Sequence, residues 1–167
     1  MNYSQIRYMD ISNGPGIGIS LFVQGCPIHC KNCFNPETWD FQGGKPWTEE
    51  IRNIFVTFAN RDYIHRISIL GGEPLAAENL SNISQLLEIL RTLYKKTKTI
   101  WLYTGYVFEK LNRDQIKALS NVDVVVDGPY IHEQRNITLP FKGSANQRII
   151  DVPKTLDKNE IVLWTGK

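Results

Sequence analysis

The chain has 167 residues, of which 42% are hydrophobic and 22% charged, and its formal net charge is +2. This size and composition predict a single globular domain over residues 1–167. The balance of 19 basic and 17 acidic residues gives no basic surface for nucleic acid, and no apolar run approaches the roughly 20 residues that cross a bilayer. Because the N-terminus also lacks a secretion signal, we predict a cytoplasmic protein that binds neither nucleic acid nor membranes.

Strand-like and helix-like patterns alternate along the chain. Residues 17–24 alternate as a strand does, and Thr48 is suited to cap a helix that follows it. A strong three-and-four spacing of apolar residues predicts an amphipathic helix over 80–94. The other predicted elements are strands at 66–70, 99–103 and 122–126, a helix at 106–119, and strand-like segments at 147–152 and 161–164.

The alternating order of these elements predicts an α/β fold of parallel strands joined by crossover helices. Small or polar residues follow four of the strands, namely Gly25, Gly71, Thr104 and Asp127. In α/β sheets and barrels, functional sites assemble at this carboxyl edge. A closed eightfold barrel usually needs about 250 residues, so we expect an incomplete, open (β/α) barrel with outer helices.

The three cysteines of the chain, Cys26, Cys30 and Cys33, all lie within eight residues after the first predicted strand. Their spacing suits an iron–sulfur cluster or zinc. A structural zinc ion needs four ligands, and the nearby candidate His29 is expected to point away because it adjoins Cys30. A [4Fe–4S] cluster held by three cysteines keeps one iron open to a ligand from outside the protein. A zinc or iron–sulfur binding module without catalytic activity remains an alternative at this point.

Other turns at the same predicted edge carry groups that suit a ligand. Glycine in the turn Gly71-Gly72-Glu73-Pro74 lets a ligand approach the backbone closely, and the Glu73 carboxylate can accept hydrogen bonds from an ammonium group. Asp127 is a candidate to bind ribose hydroxyls or a cation. The polar side chains of Ser144, Asn146 and Gln147 suit ribose or a carboxylate, although each of these segments also fits a simple turn or capped loop.

The cysteine spacing after one strand, followed by Gly-Gly-Glu-Pro after the next, resembles the radical S-adenosylmethionine (AdoMet) enzymes. The resemblance implies an open (β/α) barrel of the radical AdoMet type, in which Cys26, Cys30 and Cys33 hold a [4Fe–4S] cluster and AdoMet chelates the fourth iron. It also implies that the radical is carried by the cofactor, so no catalytic side chain is expected. The expected cofactor contacts, including those from the later polar turns, are Asn32, Cys33, Phe34, Gly71, Gly72, Glu73, Asp127, Ser144, Asn146 and Gln147.

Longer stretches narrow this resemblance. The segments "DISNGPGIGISLFVQGCPIHCKNCFNPETWDF", "ILGGEPL", "WLYTGY", "VDVVVDGPY" and "FKGSANQRIID" are similar in order and spacing to the family that activates anaerobic ribonucleotide reductases. This implies a glycine-bearing loop of anaerobic ribonucleoside-triphosphate reductase as substrate, and a low-potential electron donor such as flavodoxin or ferredoxin. The alternatives are the activation of another glycyl-radical enzyme, or radical AdoMet chemistry on a small molecule.

Overall fold

The computed structural model describes residues 1–166, which form seven strands and four α-helices. The strands are β1 (Asn2–Asp10), β2 (Gly18–Val23), β3 (Lys45–Pro46), β4 (Arg66–Gly71), β5 (Thr99–Tyr103), β6 (Val124–Asp127) and β7 (Arg148–Asp151). The helices are α1 (Glu49–Ala59), α2 (Ala77–Tyr94), α3 (Arg113–Leu119) and α4 (Val152–Lys158), and short 3-10 helices lie at Pro36–Thr38, Phe108–Lys110 and His132–Gln134.

All seven strands form one sheet in the order β3-β1-β2-β4-β5-β6-β7. The four central strands β2, β4, β5 and β6 run parallel, which confirms the predicted α/β class. The sheet edges differ from the prediction, because β1, β3 and β7 are antiparallel to their neighbours. The sequence pattern does not predict β1 at all, since only Tyr3 and Asp10 of its nine residues are buried.

Two predicted elements need correction. The segment predicted as one helix over 106–119 is divided, because Asn112 and Gln115 form a reciprocal capping box that starts α3 anew. In the tail, 161–164 contributes only an isolated bridge between Leu163 and Ile150. Helix α4 was not predicted, although Asp151 caps it by accepting a hydrogen bond from the Lys154 amide.

The two faces of the sheet have different partners. Ile67 and Ile69 of β4 belong to the larger apolar core, to which α2 contributes Ile83, Leu86, Leu87, Leu90 and Tyr94 as its periodicity predicts. The alternate residues Arg66, Ser68 and Leu70 project from the opposite face. On that second face, Trp101 forms a smaller cluster with Val124 and Val126. No helix within residues 1–166 is both long enough and apolar enough to span a membrane.

Candidate functional site

A cavity of about 550 Å³ lies on the second face of the sheet and reaches the carboxyl ends of β2, β4 and β5. Its wall includes Cys26, Cys30 and Cys33 from the loop after β2, and Gly72 and Glu73 from the turn after β4. Parallel strands bring their carboxyl ends to one edge, so two segments about 40 residues apart in sequence meet here. The cavity is therefore the candidate site.

The cysteine loop is held at its base by backbone hydrogen bonds. The Gly25 amide donates to the Thr38 carbonyl at 2.8 Å, and the Cys26 amide donates to the Trp39 carbonyl at 3.0 Å. Between these ends, His29 and Asn32 adopt left-handed backbone conformations with φ of 50° and 55°. These two reversals allow the short loop to turn back so that all three free thiols line one cavity.

The thiols lie among peptide N–H groups. Burial raises the pKa of the Cys26 and Cys30 thiols, while backbone hydrogen bonds at both residues act in the opposite direction. The Asn35 amide lies 3.4 Å from the Cys33 sulfur. Within residues 1–166, no three His, Cys, Asp or Glu side chains converge on a single metal position. In a [4Fe–4S] cluster each thiolate binds its own iron, so three thiols that line one cavity suit a cluster held by three cysteines.

His29 lies in the loop, as predicted, and packs on an aromatic neighbour. Its imidazole stacks on the Trp39 indole with ring centroids 4.6 Å apart and an interplanar angle of 18°. The Trp39 Nε1 atom is buried and has no hydrogen-bond partner within residues 1–166. The stacking assigns the His29 ring a packing role at the base of the cysteine loop.

Glu73 joins the ends of two strands. Its carboxylate accepts hydrogen bonds from the Leu75 amide at 2.9 Å, the Thr104 hydroxyl at 2.8 Å and the Gly105 amide at 2.8 Å. Burial raises the pKa of Glu73 to about 7, and the three hydrogen bonds oppose that rise. The side chain therefore links the turn after β4 to the turn after β5, while still lining the cavity.

The two glycines before Glu73 are required by geometry. Gly71 has a φ of +108°, which side-chain-bearing residues rarely adopt. A Cβ atom on Gly72 would lie far inside van der Waals contact with the Gly25 carbonyl oxygen. The Glu73 amide also donates to that oxygen at 2.8 Å. The glycine turn and the cysteine loop are thus in direct backbone contact.

Six of the ten predicted cofactor contacts line the cavity. The four others, Asn32, Asp127, Ser144 and Asn146, lie outside the cavity wall. Phe34 is 56% exposed at the cavity and packs against Tyr130 with centroids 4.8 Å apart. The six lining residues are Cys33, Phe34, Gly71, Gly72, Glu73 and Gln147.

Asp127 is buried in an ion pair. It accepts hydrogen bonds from the Phe108 amide at 2.9 Å and from Arg148 Nε at 3.0 Å. The Arg148 guanidinium also binds both carboxylate oxygens of Glu109, at 2.8 and 2.7 Å. Protein donors thus already engage the Asp127 carboxylate, and the predicted contact with ribose or a cation would have to compete with them.

The three polar residues near β7 mainly organise the chain around them. Ser144 is fully buried, and its hydroxyl accepts a hydrogen bond from the Ile131 amide at 3.2 Å. Asn146 donates to the Pro129 carbonyl at 2.8 Å, and its buried Oδ1 atom has no partner within residues 1–166. Gln147 accepts from the Gly143 amide at 2.8 Å and donates to the Gly128 carbonyl at 3.0 Å.

One buried group that supports the cavity was not predicted from the sequence. Arg66 is completely buried and donates to the backbone carbonyls of Asp10 at 2.6 Å and Pro15 at 3.3 Å. It also hydrogen-bonds to the carbonyl of Asn13, which lines the cavity. The available signal was an arginine opening an otherwise apolar strand, because a buried arginine requires several partners.

Comparisons with known proteins agree with this arrangement. Residues 12–150 match the family model described as "4Fe-4S single cluster domain". The anaerobic ribonucleoside-triphosphate reductase-activating protein of Vibrio cholerae is 40% identical over 151 residues, which cover 89% of this chain and 97% of that protein. The Escherichia coli K12 protein of the same name is 36% identical over 88% of this chain and 96% of its own length. The bacteriophage T4 protein of that name is 36% identical over 89% of this chain and 93% of its own length. The chain therefore belongs to the family of anaerobic ribonucleoside-triphosphate reductase-activating proteins.

Proposed function

We propose that this chain is a radical AdoMet enzyme that installs a glycyl radical on an anaerobic ribonucleoside-triphosphate reductase. The observation that carries the proposal is the meeting of the three-cysteine loop and the Gly-Gly-Glu-Pro turn at one cavity. The hydrogen bond of 2.8 Å between the Glu73 amide and the Gly25 carbonyl joins the two segments. The names of the relatives support the choice of reductase as substrate.

Cys26, Cys30 and Cys33 would hold a [4Fe–4S] cluster through their thiolates. Bound there, the cluster would supply the electron for reductive cleavage of AdoMet, and the resulting deoxyadenosyl radical would take hydrogen from a glycine of the reductase. Iron requires the thiolate form, and peptide N–H groups at Cys26 and Cys30 oppose the rise in thiol pKa that burial causes. Because the cofactor would carry the radical, the proposed reaction needs no side chain of this protein to transfer a proton.

The glycine turn would bind AdoMet beside the open iron. Gly71 and Gly72 line the cavity beside the cysteine loop, where the methionyl end would lie, and the exposed Phe34 ring offers an apolar surface to the adenosine. Glu73 and Gln147 lie on the same wall, where hydrogen bonds within the protein fix the positions of their side chains. The parallel strands β2, β4, β5 and β6 support the assignment of the sheet to the open (β/α) barrel of radical AdoMet enzymes.

The cavity rim suits a macromolecular substrate. Phe34 and Ile137 line the cavity and are 56% and 81% exposed. Both side chains would offer apolar contacts to a substrate loop that enters the cavity. A low-potential protein such as flavodoxin or ferredoxin would supply the electron, because the reduction of AdoMet needs a strong donor.

The test is anaerobic reconstitution with iron and sulfide, followed by incubation with AdoMet and dithionite. We expect a [4Fe–4S] content near one per chain and the release of methionine. Cys26→Ala, Cys30→Ala and Cys33→Ala should each lose both, whereas the control Asn82→Ala, on a half-buried position of α2, should keep both. A reconstituted wild type that holds no cluster, or that holds one and cleaves no AdoMet, would contradict the proposal.

A further inference from the structure

We infer that Asn79 is a positioning residue that locks the cluster-binding loop to the AdoMet-binding turn; its importance for AdoMet rests on the proposed function. Asn79 lies in the first turn of α2 and is only 1% exposed. Since it does not line the cavity, it would act through the segments that it joins.

The Asn79 side-chain amide is shared between two distant segments. Its Nδ2 atom donates to the Gln24 carbonyl at 2.9 Å, at the entrance to the cysteine loop. The same nitrogen donates to the Glu73 carbonyl at 3.0 Å and lies 3.4 Å from the Gly25 carbonyl oxygen. One nitrogen therefore contacts both ends of the junction on which the site depends.

The residue type and position are unusual for a purely helical role. Asparagine side chains favour helix caps because they bond to nearby backbone groups. The N-cap of α2, however, is Ala76, and no side chain caps that end. Asn79 instead directs its amide away from its own helix, toward Gln24 and Gly25, which lie 55 and 54 residues earlier in the chain.

The remaining bonds at this junction are made by the backbone. The Gly72 amide donates to the Val23 carbonyl at 2.9 Å, and the Glu73 amide donates to the Gly25 carbonyl at 2.8 Å. These bonds hold the segments together but leave a buried Gln24 carbonyl whose donor here is Asn79. Removal of the amide would leave that oxygen unsatisfied and would loosen the junction.

The test compares Asn79→Leu, which replaces the amide by an apolar side chain, and Asn79→Ser, whose hydroxyl is too short to span the two segments. Asn82→Leu on the same helix is the control. In the metal-free protein, we expect the Gly72 and Glu73 amides to exchange hydrogen at least tenfold faster in both Asn79 variants, while amides in the middle of β4 keep their wild-type rates. The Asn82→Leu protein should match the wild type at both places.

In the reconstituted proteins, AdoMet is titrated while the electron paramagnetic resonance spectrum of the reduced cluster is recorded. We expect wild-type iron content in the Asn79 variants and at least a tenfold rise in the AdoMet concentration that half-saturates the spectral change. If Asn79→Ser folds and keeps wild-type exchange rates and half-saturation, the inference is wrong. It is also wrong if exchange accelerates equally throughout β4, because Asn79 would then only support the core.

These readouts separate the inference from the function on which it rests. A wild-type spectrum that does not respond to AdoMet would overturn the proposed function. The hydrogen exchange of Gly72 and Glu73 in the metal-free protein would still decide whether Asn79 locks the two segments together.

Discussion

The buried Glu73 carboxylate should make the stability of the metal-free protein depend on pH. Its pKa is raised from the usual 4.5 to about 7 by burial, against the opposing hydrogen bonds from Leu75, Gly105 and Thr104. Between about pH 4.5 and 7, the folded state therefore binds the Glu73 proton more tightly than the unfolded state does. The stabilisation is complete below about pH 4.5 and is lost as the pH rises through about 7.

The size of the effect follows from the two pKa values. At roughly 1.4 kcal/mol per pH unit, the interval from 4.5 to about 7 corresponds to about 3 kcal/mol. Most of this change, about 2.5 kcal/mol, should fall between about pH 5 and about pH 8. Glu73→Gln keeps the shape of the side chain but cannot titrate, so its free energy of unfolding should lack this component.

The assay is urea unfolding of the reduced, metal-free protein at several pH values in that range. As the pH rises across this range, we expect the wild type to lose about 2–3 kcal/mol of unfolding free energy relative to Glu73→Gln. Glu88→Gln, an exposed position on α2, serves as the matched control and should run parallel to the wild type. Parallel curves for wild type and Glu73→Gln would refute the assignment of a raised pKa to this carboxyl group.

Two further predictions concern residues around the site, and both are measured as the free energy of unfolding in urea. Gly72→Ala should lower the unfolding free energy by about 1–3 kcal/mol, because the new methyl group meets the Gly25 carbonyl. A Gly72→Ala protein as stable as the wild type would show that the two backbones do not approach so closely. Arg148→Met should lower it by about 3–5 kcal/mol, because the buried Asp127 charge loses its partner. Glu109→Gln, at the exposed end of the same ion-pair network, should change the unfolding free energy by less than about 1 kcal/mol. Equal losses in Arg148→Met and Glu109→Gln would show that the buried and exposed ion pairs of Arg148 do not differ in this way.

The sequence allowed the junction of the site to be predicted, because each motif follows a strand. Three thiols after β2 and two glycines at the carboxyl end of β4 are local patterns, and parallel pairing of strands brings their ends together. The sequence also indicated a close approach at Gly72, but the group that approaches is the Gly25 carbonyl, whereas a ligand was expected there.

The partners of individual polar side chains could not be predicted in the same way. Asp127 ends β6 at the predicted edge, but the antiparallel β7 brings Arg148 beside it. The direction of β7 depends on a long connection that carries no periodic signal. Asn79 was missed for a related reason, because its three acceptors are backbone carbonyls, which no side-chain pattern reveals.

The edge strand β1 shows a second limit of sequence patterns. It pairs with β2 through a register that shifts twice, between Tyr3 and Gln5 and between Arg7 and Asp10. These irregularities disrupt the two-residue alternation that identifies strands. Pairing with β2 therefore determines this strand more than its own composition does.

The formation of a radical on the reductase is the decisive test of the proposed activity. The reconstituted protein is mixed anaerobically with AdoMet, a low-potential reductant and an anaerobic ribonucleoside-triphosphate reductase, and the mixture is frozen for electron paramagnetic resonance. We predict a glycyl-radical signal on the reductase, accompanied by methionine and 5′-deoxyadenosine, and no such signal with Cys30→Ala. A cluster-loaded protein that cleaves AdoMet and leaves the reductase without a glycyl radical would show that the proposed activity is wrong.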